Sequence, residues 1–173
     1  MKRNKHSSES YGSNASKLDL LQARMDLNSF ADLLGYKNAA FHRAIYQKLR
    51  DPEAKRLLII MPPGYGKTTC VSVNFPLWLL GRDPNLRIIV ASHTKEFVAS
   101  FVREITKRMQ TREYIEVFGD LKPAQPDKWT QNEIIVNRTK ILKDASITAL
   151  GVEQATIGHR ADIIICDDIV DED

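Results

Sequence analysis

Cysteine is scarce in this chain, with two in 173 residues, Cys70 and Cys166. The two stand far apart and share no metal-ligand spacing, which excludes a disulfide framework and a cysteine-rich zinc site. Both fall in apolar segments and read as small core residues in a reducing compartment. No apolar run approaches the roughly 20 residues that a membrane helix needs, and no signal-peptide pattern precedes a cleavage site. A strong excess of one charge is also lacking: 25 Lys and Arg face 22 Asp and Glu, a net +3. So small an excess leaves contact with nucleic acid to a local basic face. A hydrophobic fraction of 43% over this length suits one core of ordinary size and a single domain.

What is present is concentrated in two places. The first is Arg56–Leu57–Leu58–Ile59–Ile60–Met61–Pro62–Pro63–Gly64–Tyr65–Gly66–Lys67–Thr68–Thr69. Its apolar run predicts a buried strand, and its Pro/Gly turn closes on Gly-Lys-Thr where a helix begins. That layout is a P-loop, in which backbone N–H groups and a helix N-terminus wrap a polyphosphate. The phosphate-binding set is Pro63, Gly64, Tyr65, Gly66, Lys67, Thr68 and Thr69, with Lys67 on the terminal phosphates and Thr68 on Mg²⁺. Met61 stands where the usual first glycine would be. Gly64 and Gly66 fall where backbone must approach phosphate closely, which a Cβ would hinder. Tyr65 fits either a cover over a nucleotide or a solvent-facing residue.

The second place is Ala161–Asp162–Ile163–Ile164–Ile165–Cys166–Asp167–Asp168. Four successive apolar residues predict a strand buried on both faces of a parallel sheet. Acidic residues at the C-terminal end of such a strand point into the crevice where open α/β sheets bind ligands. In a P-loop enzyme one carboxylate orders Mg²⁺ and its neighbour polarises the attacking water, which assigns Asp167 to the metal and Asp168 to the water. An isolated Asp-Asp pair would read as a solvated turn. The pair gains meaning from standing 100 residues after Lys67, with strands and helices alternating between.

Around these sites the chain reads as an α/β sheet of the doubly wound kind. Residues 1–16 form a basic, serine-rich leader with Lys2, Arg3 and Lys5, expected to be disordered. A helix is predicted over Leu18–Leu34, stopped by Gly35, and another over Phe41–Leu49 with Phe41, Ile45 and Leu49 on one face. Lys67–Leu80 predicts a helix capped by Gly81 and kinked or shortened by Pro76. A buried strand follows at Leu86–Ala91, then a helix over Lys95–Gln110 with Phe97, Phe101, Ile105 and Met109 repeating every four residues. Short strands are expected at Glu133–Val136, Lys140–Leu142 and Ser146–Leu150. Trp129 reads as a core anchor or a stacking platform. The face carrying Lys95, Arg103, Lys107 and Arg108 reads as solvated or as a phosphate-backbone contact.

From about Phe41 to Asp171 the chain resembles the ATPase domain of tailed-phage terminase large subunits. The resemblance is carried by Phe41–His42, then Met61–Pro62–Pro63 with Gly66–Lys67–Thr68. Next come Phe75–Pro76, Trp78, Leu80–Gly81–Arg82 and Pro84, then Arg87–Ile88–Ile89 and Ala91–Ser92–His93. Tyr114, Phe118–Gly119, Trp129 and Gly151 follow, and Gly158–His159–Arg160–Ala161–Asp162–Ile163–Ile164–Ile165 with Asp167–Asp168 completes it. It implies a P-loop NTPase (RecA-like) fold, a mainly parallel sheet flanked by helices, over residues 17–173. It also implies ATP and Mg²⁺ as ligands and hydrolysis that moves double-stranded DNA into a procapsid. The implied partners are DNA, a portal protein, a small terminase subunit and further copies in a ring. The implied place is the host cytoplasm, transiently docked on the procapsid, with no membrane. Asp171–Glu172–Asp173 then reads as a break in a longer protein, whose nuclease domain these residues do not supply.

Two positions depart from the family pattern. Relatives often carry arginine where Gly64 stands, which leaves a charge-stabilising arginine to be found elsewhere. Arg160 is the candidate, acting on a neighbour's ATP, with a surface pairing to Asp162 or Glu153 as the alternative. Asp168 stands where many such motors have glutamate, shorter by about 1.5 Å of reach. Phe41, His42 and Gln47 fit helix packing or, as in related motors, contact with adenine. His93 fits a nucleotide sensor or a cap of the following helix. Two rival readings are a helicase-type nucleic-acid-dependent ATPase core and a nucleotide-binding fragment without turnover.

Overall fold

Two isoleucine-bearing runs, far apart in sequence, pair side by side and set the architecture. The computed structural model describes residues 15–152 and 158–169. Helices α1 (Lys17–Met25), α2 (Leu27–Leu33) and α3 (Ala40–Leu49) come first. A π-helical turn, Thr69–Asn74, leads into α4 (Phe75–Arg82), followed by β1 (Ile88–Ser92), α5 (Lys95–Met109) and α6 (Arg112–Phe118). The short β2 (Glu133–Ile134), β3 (Ile147–Gly151) and β4 (Ile163–Cys166) complete the order. The sheet runs β2-β3-β1-β4, with β1 parallel to both neighbours and β2 antiparallel to β3. The chain is an α/β protein with a mixed four-stranded sheet.

Register decides which side chains form the core. Ile88 lies opposite Ile147 and Ile163, and Val90 opposite Ala149 and Ile165. Side chains alternate along a strand, so these six share one face. That face joins the core built with Val98, Phe101, Val102, Ile105 and Met109 of α5. The other face of β4 is different: Ile164 is 64% exposed and Cys166 is exposed. The run expected to be buried on both faces is therefore buried on one, because β4 is an edge strand with no described element over its second face. Cys70 is a core residue as expected; Cys166 is not.

The expected strand Leu57–Met61 does not join the sheet. Ile59 and Met61 pack against the core, while Leu58 and Ile60, which alternate with them, are 83% and 84% exposed. The side chains thus alternate as in a strand, yet no ladder forms along the backbone. A strand needs a neighbour for its N–H and C=O groups, and β4 does not pair with this segment among the described residues. Lys140–Leu142 likewise forms no strand, and Ile141 is fully exposed.

The single helix expected over Leu18–Leu34 is two. Asp26 adopts an extended conformation, ends α1, and accepts the Ser29 N–H at the start of α2. Short polar side chains compete with the helix in this way and favour caps over helix interiors. Ser16, counted in the leader, caps α1 by accepting the Asp19 N–H. The rest of the described leader is residue 15; residues 1–14, Glu153 and Asp171–Asp173 lie outside the described residues. No helix among the described residues is long and apolar enough to cross a membrane.

Pro76 acts through the turn before it. Proline offers no N–H, so an α-helical bond to the Ser72 carbonyl is impossible. The chain widens instead into the π-turn, where the Phe75 N–H donates to Cys70 O, and Pro76 falls in the first turn of α4. The buried Asn74 donates to the Tyr46 hydroxyl at 2.9 Å, tying this turn to α3. Burial raises the pKa of both Tyr46 and Cys70.

Gly81 is not a cap but a helical residue inside α4, followed by Asp83 as the terminating residue. A Cβ at this position would lie 2.4 Å from the Phe118 ring of α6. Alanine would gain about 1 kcal/mol of helix propensity, against about 1–3 kcal/mol for overpacking a ring held by Phe30 and Tyr114. Gly81→Ala should therefore lower the urea midpoint. An unchanged or higher midpoint would show that α4 and α6 are not in close contact here.

Candidate active site

The parallel pairing of β1 and β4 brings their C-terminal ends to one edge, and the glycine loop meets them there. The Asp167 N–H donates to Ala91 O at 2.9 Å, continuing the ladder one residue past β4. Lys67 Nζ lies 3.2 Å from Asp167 Oδ1 and also contacts Asp168 Oδ1. The Asp168 hydrogen bond is the main reason that the Lys67 pKa is raised, with Asp167 adding to it against the cost of burial. The loop lysine and the two strand-end acids, 100 residues apart in sequence, are therefore in direct contact.

The two carboxylates differ in surroundings. Asp167 is 3% exposed, and its Oδ2 accepts the Ser72 hydroxyl at 2.8 Å, so its two oxygens are divided between Ser72 and Lys67. The Asp168 side chain is 55% exposed. Its backbone has φ +47°, a left-handed conformation that aspartate tolerates better than most residues. Three contacts hold that conformation through its carbonyl oxygen: the His93 N–H, the Ser92 hydroxyl and His93 Nδ1, each at 3.2 Å. Strained backbone persists where neighbours over-determine it, and it clusters at functional sites. His93 does not cap α5; Thr94 does, accepting the Phe97 N–H.

In the loop, Gly64 and Gly66 have φ +80° and +74°. These left-handed values cost glycine nothing and allow successive amides to form a concave anion site. The Cys70 N–H donates to Gly66 O at 3.0 Å, so the helical turn starts directly at the loop. Among the described residues, the amides of Gly64, Gly66, Lys67, Thr68 and Thr69 donate to no protein group. Thr68 is helical and half-buried, one turn before Ser72. Pro63 and Tyr65 form the exposed rim of the loop. Free amides beside a lysine, a threonine hydroxyl and a buried carboxylate are a donor set suited to a polyphosphate. Among the described residues no cluster of three or more His, Cys, Asp or Glu side chains could cage a metal ion.

Arg160 lies elsewhere. It precedes β4 and lines a cleft with Arg87, Asp144 and His159 at the N-terminal end of the strands. Asp162, one alternative partner for it, is taken by Arg87, whose guanidinium reaches its two oxygens at 3.0 and 2.8 Å. That pairing lowers the Asp162 pKa. Ser72 escaped the sequence reading, while His42, expected to pack its helix or contact adenine, bonds to the Ala39 N–H and the Tyr65 carbonyl at the back of the loop. The signal for Ser72 was its place one turn after Thr68; for His42 no motif pointed to the contact.

The site and sheet define an α/β protein with a glycine-rich loop facing a strand-end acid pair. Residues 58–172 match the family described as terminase large subunit, T4-like-virus type, N-terminal, and the chain belongs to that family. It is also similar to the terminase large subunit of Enterobacteria phage T3, 29% identical over 126 residues. That match covers 70% of this chain and 20% of the phage T3 protein, so it spans only a fifth of the relative's length. No solved structure matches the chain.

Ser72→Ala should leave Asp167 Oδ2 buried without a donor, at a cost of about 1–3 kcal/mol. Urea unfolding of the variant should show that loss, and Ser72→Thr, which restores a hydroxyl, should recover part of it. Equal stability of Ser72→Ala and the parent would show that the hydroxyl contributes nothing to holding the acid.

Proposed function

We propose that this chain is the ATPase motor region of a viral DNA-packaging terminase, with a P-loop NTPase fold. The observation that carries the reading is the direct contact of Lys67 with Asp167 and Asp168, beneath a loop whose amides have no protein partner among the described residues. Membership of the terminase large-subunit family supports it. In this reading Pro63, Gly64, Tyr65, Gly66, Lys67, Thr68 and Thr69 hold the phosphates of ATP. Thr68 and Asp167 would hold Mg²⁺, which would supply positive charge against the phosphate oxygens.

The chain's own groups then have distinct tasks. The loop amides and the Lys67 ammonium stabilise charge on the phosphate oxygens, acting by position rather than by covalent chemistry. Ser72 keeps Asp167 in one orientation. Asp168, exposed and turned outward by its left-handed backbone, accepts a hydrogen bond from the attacking water. Its salt bridge to Lys67 opens as the ammonium turns toward the phosphates, which frees the Asp168 carboxylate for the water. Arg160 acts in trans on a neighbouring subunit. Double-stranded DNA, a portal protein, a small terminase subunit and further copies in a ring are the partners of this reading. Its setting is the host cytoplasm, docked on a procapsid during packaging.

A second reading, nucleotide binding without turnover by this chain alone, is favoured by the same Lys67–Asp168 contact, which occupies the water-activating carboxylate. Affinity for ATP measured beside turnover separates the two. Lys67→Ala should abolish phosphate release by the packaging ATPase and weaken binding of ATP·Mg²⁺ by at least tenfold. Undiminished turnover would reject the loop assignment.

A further inference from the structure

The aromatic group at the start of α3 takes no part in the chemistry above, yet it touches the loop at its tightest point. His42 is in the first turn of α3, and its Nδ1 accepts the Ala39 N–H at 3.0 Å. Its Nε2 lies 2.9 Å from the Tyr65 carbonyl oxygen, 23 residues away in sequence. An amide N–H can only donate and a carbonyl can only accept. Both neighbours therefore require the same neutral imidazole, with its proton on Nε2. The ring also fills the space above the next residue: a Cβ on Gly66 would lie 3.2 Å from Nε2. Phe41 closes the group, its ring 5.6 Å from that of Tyr65.

The peptide bond converts this contact into an orientation. The Tyr65 carbonyl and the Gly66 N–H belong to one trans peptide plane and point in opposite directions. An imidazole that holds the carbonyl toward α3 therefore aims the Gly66 N–H away from α3. That amide has no protein partner among the described residues. Glycine, free to rotate about its backbone, would otherwise leave this plane poorly specified.

We propose that His42 is a positioning residue of the phosphate loop, a latch that fixes the Tyr65–Gly66 peptide so that its amide faces the bound phosphates. The proposal rests on the reading of the loop as a nucleotide site. It differs from an adenine contact, because the ring's two nitrogens are spent on Ala39 and Tyr65, and from simple helix capping, because only Nδ1 caps.

Two substitutions separate cap from latch in the full chain. His42→Asn places an oxygen near Nδ1 and keeps the Ala39 contact, but is too short to reach Tyr65. His42→Gln places an amide N–H near Nε2 and keeps the latch, but gives up the cap. One net hydrogen bond of about 1 kcal/mol corresponds to roughly a fivefold change in affinity. Fluorescent N-methylanthraniloyl-ATP with Mg²⁺ should thus bind His42→Asn about 3- to 10-fold more weakly than the parent, while His42→Gln binds within about twofold of it. Thermal stability should follow the opposite order, with His42→Gln the less stable. Binding of His42→Asn at parental strength, or equal weakening in both variants, overturns the latch. Nitrogen-15 spectra of the imidazole, recorded without nucleotide, test the contact independently of binding. They should show His42 protonated on Nε2 alone, and a proton on Nδ1 overturns the proposal. A parent chain that binds no ATP while giving the expected spectrum would reject the nucleotide-site reading and, with it, the latch's purpose.

Discussion

A carboxylate with almost no access to water governs the working end of this molecule. Placing Asp167 in the interior carries a desolvation cost of several kcal/mol unless opposite charge and donors surround it. The chain meets that demand from two sides, with the Ser72 hydroxyl on one oxygen and the Lys67 ammonium on the other. Those partners belong to the helical turn and to the glycine loop, so satisfying one acid fixes the strand, the loop and the turn against each other. Asp168, next in sequence, inherits its position from this arrangement and from the three contacts on its carbonyl.

Much of this was readable before any coordinates. The buried strands β1 and β3 and the long helix α5 follow from apolar runs and a four-residue repeat, and each lies within two residues of expectation at either end. The meeting of Lys67 with the strand-end acids followed from motif chemistry, because a lysine after a glycine turn and acids after an apolar strand answer the same ligand. What escaped reading depended on neighbours. Leu57–Met61 has the composition of a strand but lacks an adjacent strand to pair with, which composition cannot reveal. Ile164 looks as apolar as Ile165, and only the edge position of β4 separates their burial. Gly81 looked like a helix stop because glycine usually marks one. In the fold its missing side chain makes room for Phe118.

Asp26 and Pro76 show the same limit in a different form. Asp26 carried no signal in the sequence reading and Pro76 only that of a kinked or shortened helix, yet the structure uses both as joints. Asp26 ends one helix, starts another and pairs with Arg50 beyond α3. Pro76 follows the π-turn, and that turn carries the buried Ser72 and Asn74 to their contacts with Asp167 and Tyr46. The proline thus sits directly after the turn whose Ser72 holds the acid.

The placement of Arg160 constrains any mechanism built on this site. It stands before the first residue of β4, while Asp167 and Asp168 follow the last, and the four residues between already rise roughly 13 Å. That exceeds the reach of an extended arginine side chain, so Arg160 cannot serve the loop of its own chain with β4 in place. A role on transferring phosphate requires the N-terminal end of one sheet to face the C-terminal edge of another. Such a contact is head-to-tail, and head-to-tail contacts close into rings when the rotation between copies permits. The proposed ring and the proposed arginine are consequently one hypothesis about geometry, because the fold offers Arg160 to a neighbouring copy or to no phosphate at all.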